Sequence, residues 1–229
     1  MDVKKFRADM YELGNRACKD DNEATLAKVL ATADILIGLY KKNLVKINHS
    51  VLELVCAHSL IKDGYEVKVE QRLDKQLVCD VYGKRGDGAL IVEIETGFIP
   101  PEAALRPATY AQSRIASKLA RYSRFAGKFA LGTTSSYVLD FSPFFVKPPR
   151  FRSLDEAAAI KRLTDMYYDK PAISLQELLY ARIHSVFVID VDNASTREVD
   201  PETYLQSVAS LDRQEAGVHS GDEGRVERG

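Results

Sequence analysis

Apolar residues recur with helical spacing over residues 2–18 and 22–43, so the chain is expected to open with a helical hairpin, Asp21 or Asn22 capping its second helix. A third helix is predicted over 48–63, with Asn48 or Ser50 near its start and Gly64 just past its end. Three short segments rich in Val and Ile, 65–71, 76–83 and 88–96, then read as strands. The last two are separated by Lys84-Arg85-Gly86-Asp87-Gly88, the composition of a hairpin turn. Beyond Pro100 and Pro101 the pattern turns helical over 102–124, with Pro107 marking a break or a fresh start. A strand is expected at 127–134, helices near 153–168 and 174–182, and a last apolar strand at 186–191. From about residue 210 Gly, Glu and Arg dominate with little apolar content, which predicts a disordered tail. There are no internal repeats.

Three acids interrupt this pattern. Glu53 sits among Val51, Leu52, Leu54 and Val55 of the third helix, Asp80 within QLVCDVYG, and Glu93 within ALIVEIETG. Antiparallel pairing of the two strands would bring Asp80 and Glu93 to the same height. A carboxylate inside an apolar element costs several kcal/mol or takes up a proton, so a cation is expected between them, and two or three carboxylates suit magnesium or manganese. The competing reading is the solvent-facing half of an alternating strand. The order around Glu93 argues against it: Leu90, Val92 and Ile94 point one way, while Ala89, Ile91, Glu93 and Glu95 share a face that begins apolar and ends acidic.

With 229 residues, 45% of them hydrophobic, the chain can bury a full core. No run reaches the roughly 18 apolar residues of a membrane span, and the first residues lack the apolar core of a signal peptide. The expectation is a cytoplasmic protein without membrane partners. Cys18, Cys56 and Cys79 are odd in number and widely spaced, which points to reduced packing cysteines, and four scattered histidines argue against zinc. His58 and His184 read as satisfied structural histidines. The formal net charge of −1 conceals an asymmetry, since residues 106–152 hold nine basic side chains against Asp140 alone, a net +8. On the predicted helix Arg114, Lys118 and Arg121 form a stripe, with Tyr110 one turn earlier and Arg124 just beyond. Such a stripe is either a polyanion surface or a solvated face.

The order helix with Glu53, strand, strand with Asp80, strand with Glu93, basic helix and strand resembles the core of the PD-(D/E)XK nuclease superfamily. Compact archaeal Holliday-junction resolvases and related nucleases of archaea and their viruses are the most similar. The resemblance spans about residues 48–134. It implies an α/β fold with a restriction-endonuclease-like core, αβββαβ, whose mixed central sheet is flanked by helices, here preceded by the helical hairpin. The implied organisation is a hairpin over 1–46, a nuclease-like domain over 47–192 with C-terminal helical additions, and an extension over 193–229.

The implied function is an Mg2+- or Mn2+-dependent endodeoxyribonuclease acting on DNA, including branched DNA, as a homodimer. Asp80, Glu93 and Glu53 would hold the metal; Tyr110, Arg114, Lys118, Arg121 and Arg124 would contact nucleic acid. One position departs from the family pattern. Glu95 stands where a lysine usually follows the strand acid, so either Glu95 activates the attacking water or Lys118 supplies the missing positive charge. Two other readings remain: a nucleic-acid-binding or regulatory protein whose nuclease fold has lost its chemistry, and a structural module assembled through the helical hairpin.

Overall fold

The computed structural model describes residues 2–219, with side chains up to residue 210. The chain forms a six-stranded mixed sheet flanked by helices and preceded by a helical region. Helices α1 (Val3–Ala17) and α2 (Glu23–Lys41) form the opening hairpin, with α2 capped by Asn22, whose side chain accepts from the Thr25 N–H at 2.9 Å. Helix α3 (Ile47–Lys62) begins one residue earlier than the pattern predicted, and neither Asn48 nor Ser50 caps it; Lys46 stands at the cap position with no side-chain cap bond. Its end is as expected. Gly64 takes φ +81, and the N–H groups of Gly64 and Tyr65 bond back to Ile61 and Leu60, the paired closure that a left-handed residue allows.

Strands β1 (Glu66–Arg72), β2 (Val78–Arg85) and β3 (Gly88–Glu95) form an antiparallel meander. The β2–β3 turn is Gly86-Asp87, with Gly86 at φ +58, a conformation that glycine adopts at little cost. Helix α4 (Pro107–Tyr122) is a fresh start at Pro107, because proline fits the first turn, where its missing N–H costs nothing; residues 101–103 form a separate short turn. It crosses to β4 (Lys128–Thr134), which pairs parallel with β3. Helices α5 (Leu154–Asp165) and α6 (Leu175–Tyr180), each opened by a Ser–Glu capping box, lead to β5 (Ser185–Asp190), parallel to β4.

Two elements were not anticipated. Strand β6 (Ser195–Val199) closes the sheet antiparallel to β5, and its mixed STREV sequence carries no apolar run because an edge strand needs none. Helix α7 (Pro201–His219) follows, so residues 210–219, expected to be disordered, have a helical backbone that continues from the helix-forming residues before them. The remainder of the expected tail lies outside the described residues.

The sheet separates two apolar clusters. On one side α1, α2 and α3 pack through Phe6, Met10, Leu36 and Leu54 against Val92, Ile94 and Phe187; on the other, α4, α5 and α6 pack through Ile115, Leu119 and Leu178 against Ile91, Phe129 and Val186. The hairpin thus shares its core with the sheet. All three cysteines are free and buried, and among the described residues no helix is long and apolar enough to cross a membrane.

Candidate active site

The alternation of β3 sorts as its sequence requires, with Leu90, Val92 and Ile94 in the α3-side core and Ile91 in the α4-side core. Glu93 and Glu95, in phase with Ile91, therefore belong to the α4 side. Strand β2 breaks that rule. Cys79 and Val81 should share a face, yet Cys79 packs with the α4 cluster and Val81 with the α3 cluster. The intervening residue is Asp80. Val69 on β1 and Leu73 just past its end are divided in the same way, and between them Glu70 takes φ +48, a strained left-handed conformation for a residue with a Cβ. Asp80 is thereby presented to elements from both faces, His49 of α3 and Lys118 of α4.

The β2–β3 register runs from Arg85↔Gly88 to Val81↔Val92 and there the backbone ladder gives way to side chains. The Asp80 N–H donates to Glu93 Oε1 at 3.2 Å, and the Ile94 N–H donates to Asp80 Oδ2 at 2.6 Å. Two carboxylates thus satisfy the backbone donors exposed where the strands fork.

Lys118 enters this fork from α4. Its Nζ donates to the Ile94 carbonyl at 3.1 Å and lies 2.8 Å from Glu95 Oε1, 3.1 Å from Glu93 Oε2 and 3.7 Å from Asp80 Oδ2. Arg114, one turn earlier, reaches Glu95 Oε2 through Nε at 3.1 Å. From α3, His49 Nε2 stands 3.1 Å from Asp80 Oδ2 and 3.7 Å from Glu53 Oε1. Glu53 itself is fully buried, and its protonated carboxyl has the Glu70 carboxylate as a side-chain hydrogen-bond partner. Histidine and acid lie at i and i+4, neighbours on one face of the helix.

These surroundings move the acids in opposite directions. Burial, then Asp80, Glu70 and Glu93, push the Glu53 carboxyl well above its usual range. Burial and Asp80 push Glu93 up to about 8 despite Lys118. Burial also opposes ionisation of Asp80, but Lys118 and His49 outweigh it and lower that group to about 2. Lys118 is disfavoured as a cation by burial and held charged by Glu93, Asp80 and Glu95 together, which win. The fork therefore pairs a charged ammonium and an ionised aspartate with two glutamates, Glu53 and Glu93, that hold protons unless more positive charge arrives.

An open cleft of about 660 Å³ gives access, with Leu44, His49, Glu70, Asp80, Phe98 and Lys118 in its wall. His49, Glu53 and Asp80 offer ligand atoms within 4.8 Å of one another. Glu93 and the Ile94 carbonyl add oxygens on the other side of Asp80.

Of the expected site residues, Glu53, Asp80, Glu93, Glu95, Lys118 and Arg114 come together here. Arg121 and Arg124 do not. Arg121 donates to the Pro171 carbonyl at 2.7 Å and Arg124 pairs with Glu177 at 3.3 Å. Tyr110 lies half-buried against Tyr167 and Tyr168, with its hydroxyl 3.4 Å from that of Tyr168. Elsewhere in the basic segment Arg152 is buried and donates to five carbonyls, and Lys147 pairs with Glu156. Arg106, Lys128 and Arg150 are left without an acidic partner among the described residues. His58 is bonded to Asp21 at 2.6 Å and His184 accepts the Phe129 N–H at 3.0 Å, both satisfied as expected.

The sequence reading missed His49 and Glu70. The i, i+4 spacing of His49 and Glu53 was a legible signal. Glu70 had none, because it sits in an alternating strand and only the backbone turn at that residue brings it to Asp80.

No family model matches the chain, and no curated protein matches it. Among solved structures, a protein of unknown function from Silicibacter pomeroyi is similar at a TM-score of 0.34 and 11% identity, over 76% of this chain and 92% of that one. That likeness carries no statement about function.

Proposed function

We propose that the chain is a metal-dependent DNA endonuclease of the PD-(D/E)XK superfamily in which Lys118, from helix α4, replaces the lysine missing at Glu95. The observation that carries this reading is the convergence of the Lys118 ammonium with Asp80, Glu93, Glu95 and the Ile94 carbonyl at one strand fork. The order α3, β1, β2, β3, α4, β4, with an antiparallel meander followed by a parallel crossover, agrees with the αβββαβ core of that superfamily.

A divalent ion fits the donor set. Asp80, Glu93, Glu53 and the Ile94 carbonyl would hold it, with Glu70 and His49 beside them, and a buried Glu53 carboxyl crowded by Asp80, Glu70 and Glu93 is an acid cluster that a cation would relieve. When bound, Mg2+ or Mn2+ supplies water activation and neutralises charge on the phosphate. Lys118 stays protonated at every ordinary pH, so it serves as a fixed positive charge and hydrogen-bond donor toward the scissile phosphate. Glu95 is engaged by two cations, which makes it a holder of Lys118 and Arg114 in preference to a base.

The test is hydrolysis of linear, flap and four-way-junction DNAs with magnesium or manganese, wild type against Asp80→Asn. Cleavage that needs metal and is lost in the variant is the expected result; branched substrates would also require a homodimer, read by sedimentation. A second reading draws on the same contacts: the ammonium touches the oxygens a metal would use, as in a DNA-binding protein with degenerate chemistry. Calorimetry separates the two, since the binding protein takes up DNA without needing Mg2+ or Mn2+ and never cuts it.

A further inference from the structure

A second group of titratable side chains joins the helical hairpin to α3. Cys18 follows the last turn of α1, Asp21 lies in the α1–α2 turn and His58 projects from α3. The thiol sulfur, a carboxylate oxygen and a ring nitrogen all lie within 4.8 Å of one another. All three side chains are nearly excluded from solvent, Cys18 at 5% and His58 at 6% exposure, with the Asp21 side chain at 9%. His58 Nε2 is 2.6 Å from Asp21 Oδ2, and Lys62 Nζ is 3.1 Å from Asp21 Oδ1.

We propose that Cys18, Asp21 and His58 form a zinc site that fastens the α1–α2 turn to α3, three protein ligands with the fourth position open to a solvent molecule. Thiolate, imidazole and carboxylate are the donor types zinc accepts, and they differ from the oxygen-rich set at the strand fork. Tetrahedral zinc with such ligands spaces its donor atoms about 3.4 Å apart, so the Asp21–His58 contact opens and the longer separations close by shifts on the order of 1 Å. Burial and the neighbouring Asp21 push the Cys18 thiol up to about 11, and a coordinated dication reverses that, because a metal-bound thiol is deprotonated outright. The thiolate and carboxylate then balance the ion, with Lys62 at the outer oxygen of Asp21.

Cys56 and Cys79 offer no comparable set. Each is fully buried and packed among apolar side chains. The sequence conceals the site because 37 residues separate Asp21 from His58.

Cobalt titration of the chelator-treated full chain tests the proposal, because a thiolate ligand adds a sulfur-to-cobalt charge-transfer band in the near ultraviolet that the His49, Glu53 and Asp80 ligand set of the strand fork, which contains no thiol, does not give. The expected result is a band that saturates at a single equivalent, disappears in Cys18→Ser and in His58→Gln, and persists in Asp80→Asn. Zinc should abolish it by competition and raise the melting temperature of the wild type by several degrees, as any ligand bound only to the folded state does. Absence of the band in the wild type, or its survival in Cys18→Ser, overturns the site. The wild-type titration decides even if a substituted chain fails to fold.

Discussion

Helix α4 and the short turn that follows it carry the same kind of side chain and put it to different uses. Arg114 and Lys118 turn toward the buried acids of β2 and β3, whereas Arg121 and Arg124, a turn or two later, are bonded to the Pro171 carbonyl and to Glu177. Arg152, in the same basic stretch, is consumed entirely by five carbonyls. Positive charge along a sequence therefore does not by itself mark a polyanion surface. What distinguishes Lys118 is the company it keeps: a half-buried cation held by three carboxylates is not readily released to solvent, while an exposed arginine is.

The sharpest break of this contrast is at its acidic end. Asp80→Asn should abolish metal-dependent cleavage, a loss of 10³-fold or more on the scale of about 10²–10³ per transition-state charge partner plus the metal itself, with the fold intact by circular dichroism. Retained cleavage would end the assignment of the fork as the active site.

Lys118→Ala comes next. Single-turnover cleavage should fall by about 10², the usual contribution of a positioned acid, base or charge, while DNA affinity falls far less. Glu95→Gln should cost less, about tenfold on the same scale, because it loosens the hold on Lys118 without removing the charge. The reverse ranking, with Glu95→Gln inactive and Lys118→Ala near wild type, would make Glu95 the water-activating group.

The metal-free protein should also lose stability as pH rises. Glu93 and Glu53 hold protons in the folded state above their unfolded values, so the native state binds more protons than the unfolded state from about pH 4.5, the ordinary glutamate value, up to the Glu93 value of about 8. Their contribution is fully present below that window and is lost across it. Asp80, held down to about 2, acts oppositely and its contribution disappears only as pH falls below about 4. Thermal melts between pH 5 and 8 should therefore show a falling Tm that Glu93→Gln flattens; a wild-type Tm that climbs over this range contradicts the assignment.

The smallest effect belongs to the end of the helix and the turn after it. Replacing Arg121 and Arg124 with alanine should change cleavage by less than about threefold and reduce the salt slope of DNA binding by no more than about 2, since each phosphate contact is worth roughly 0.9 of slope. A much larger loss would restore these residues to the nucleic-acid surface.

Much of the fold was legible because its elements announce themselves locally. The β2–β3 hairpin follows from Gly86-Asp87, the end of α3 from Gly64, the fresh start of α4 from Pro107, and the facing of β3 from strict alternation. The capping of α3 was misread, since Asn48 and Ser50 are good caps that the helix does not use. Strand β6 was missed because its partner β5, and not its own composition, makes it a strand.

For the candidate site, the identities of Glu53, Asp80, Glu93, Glu95, Lys118 and Arg114 stood in the sequence, since an acid amid apolar residues is conspicuous wherever it occurs and a basic stripe follows from helical period. Their meeting was a tertiary matter. It depends on Glu70 turning left-handed, on β2 exchanging faces at Asp80, and on the rotation of α4 that sends Lys118 to the acids and Arg121 to the Pro171 carbonyl. Local pattern determines which face of an element is apolar, because burial is decided residue by residue. Which cation reaches which carboxylate is decided only when two elements pack, because Coulomb attraction acts through space and takes no account of distance along the chain.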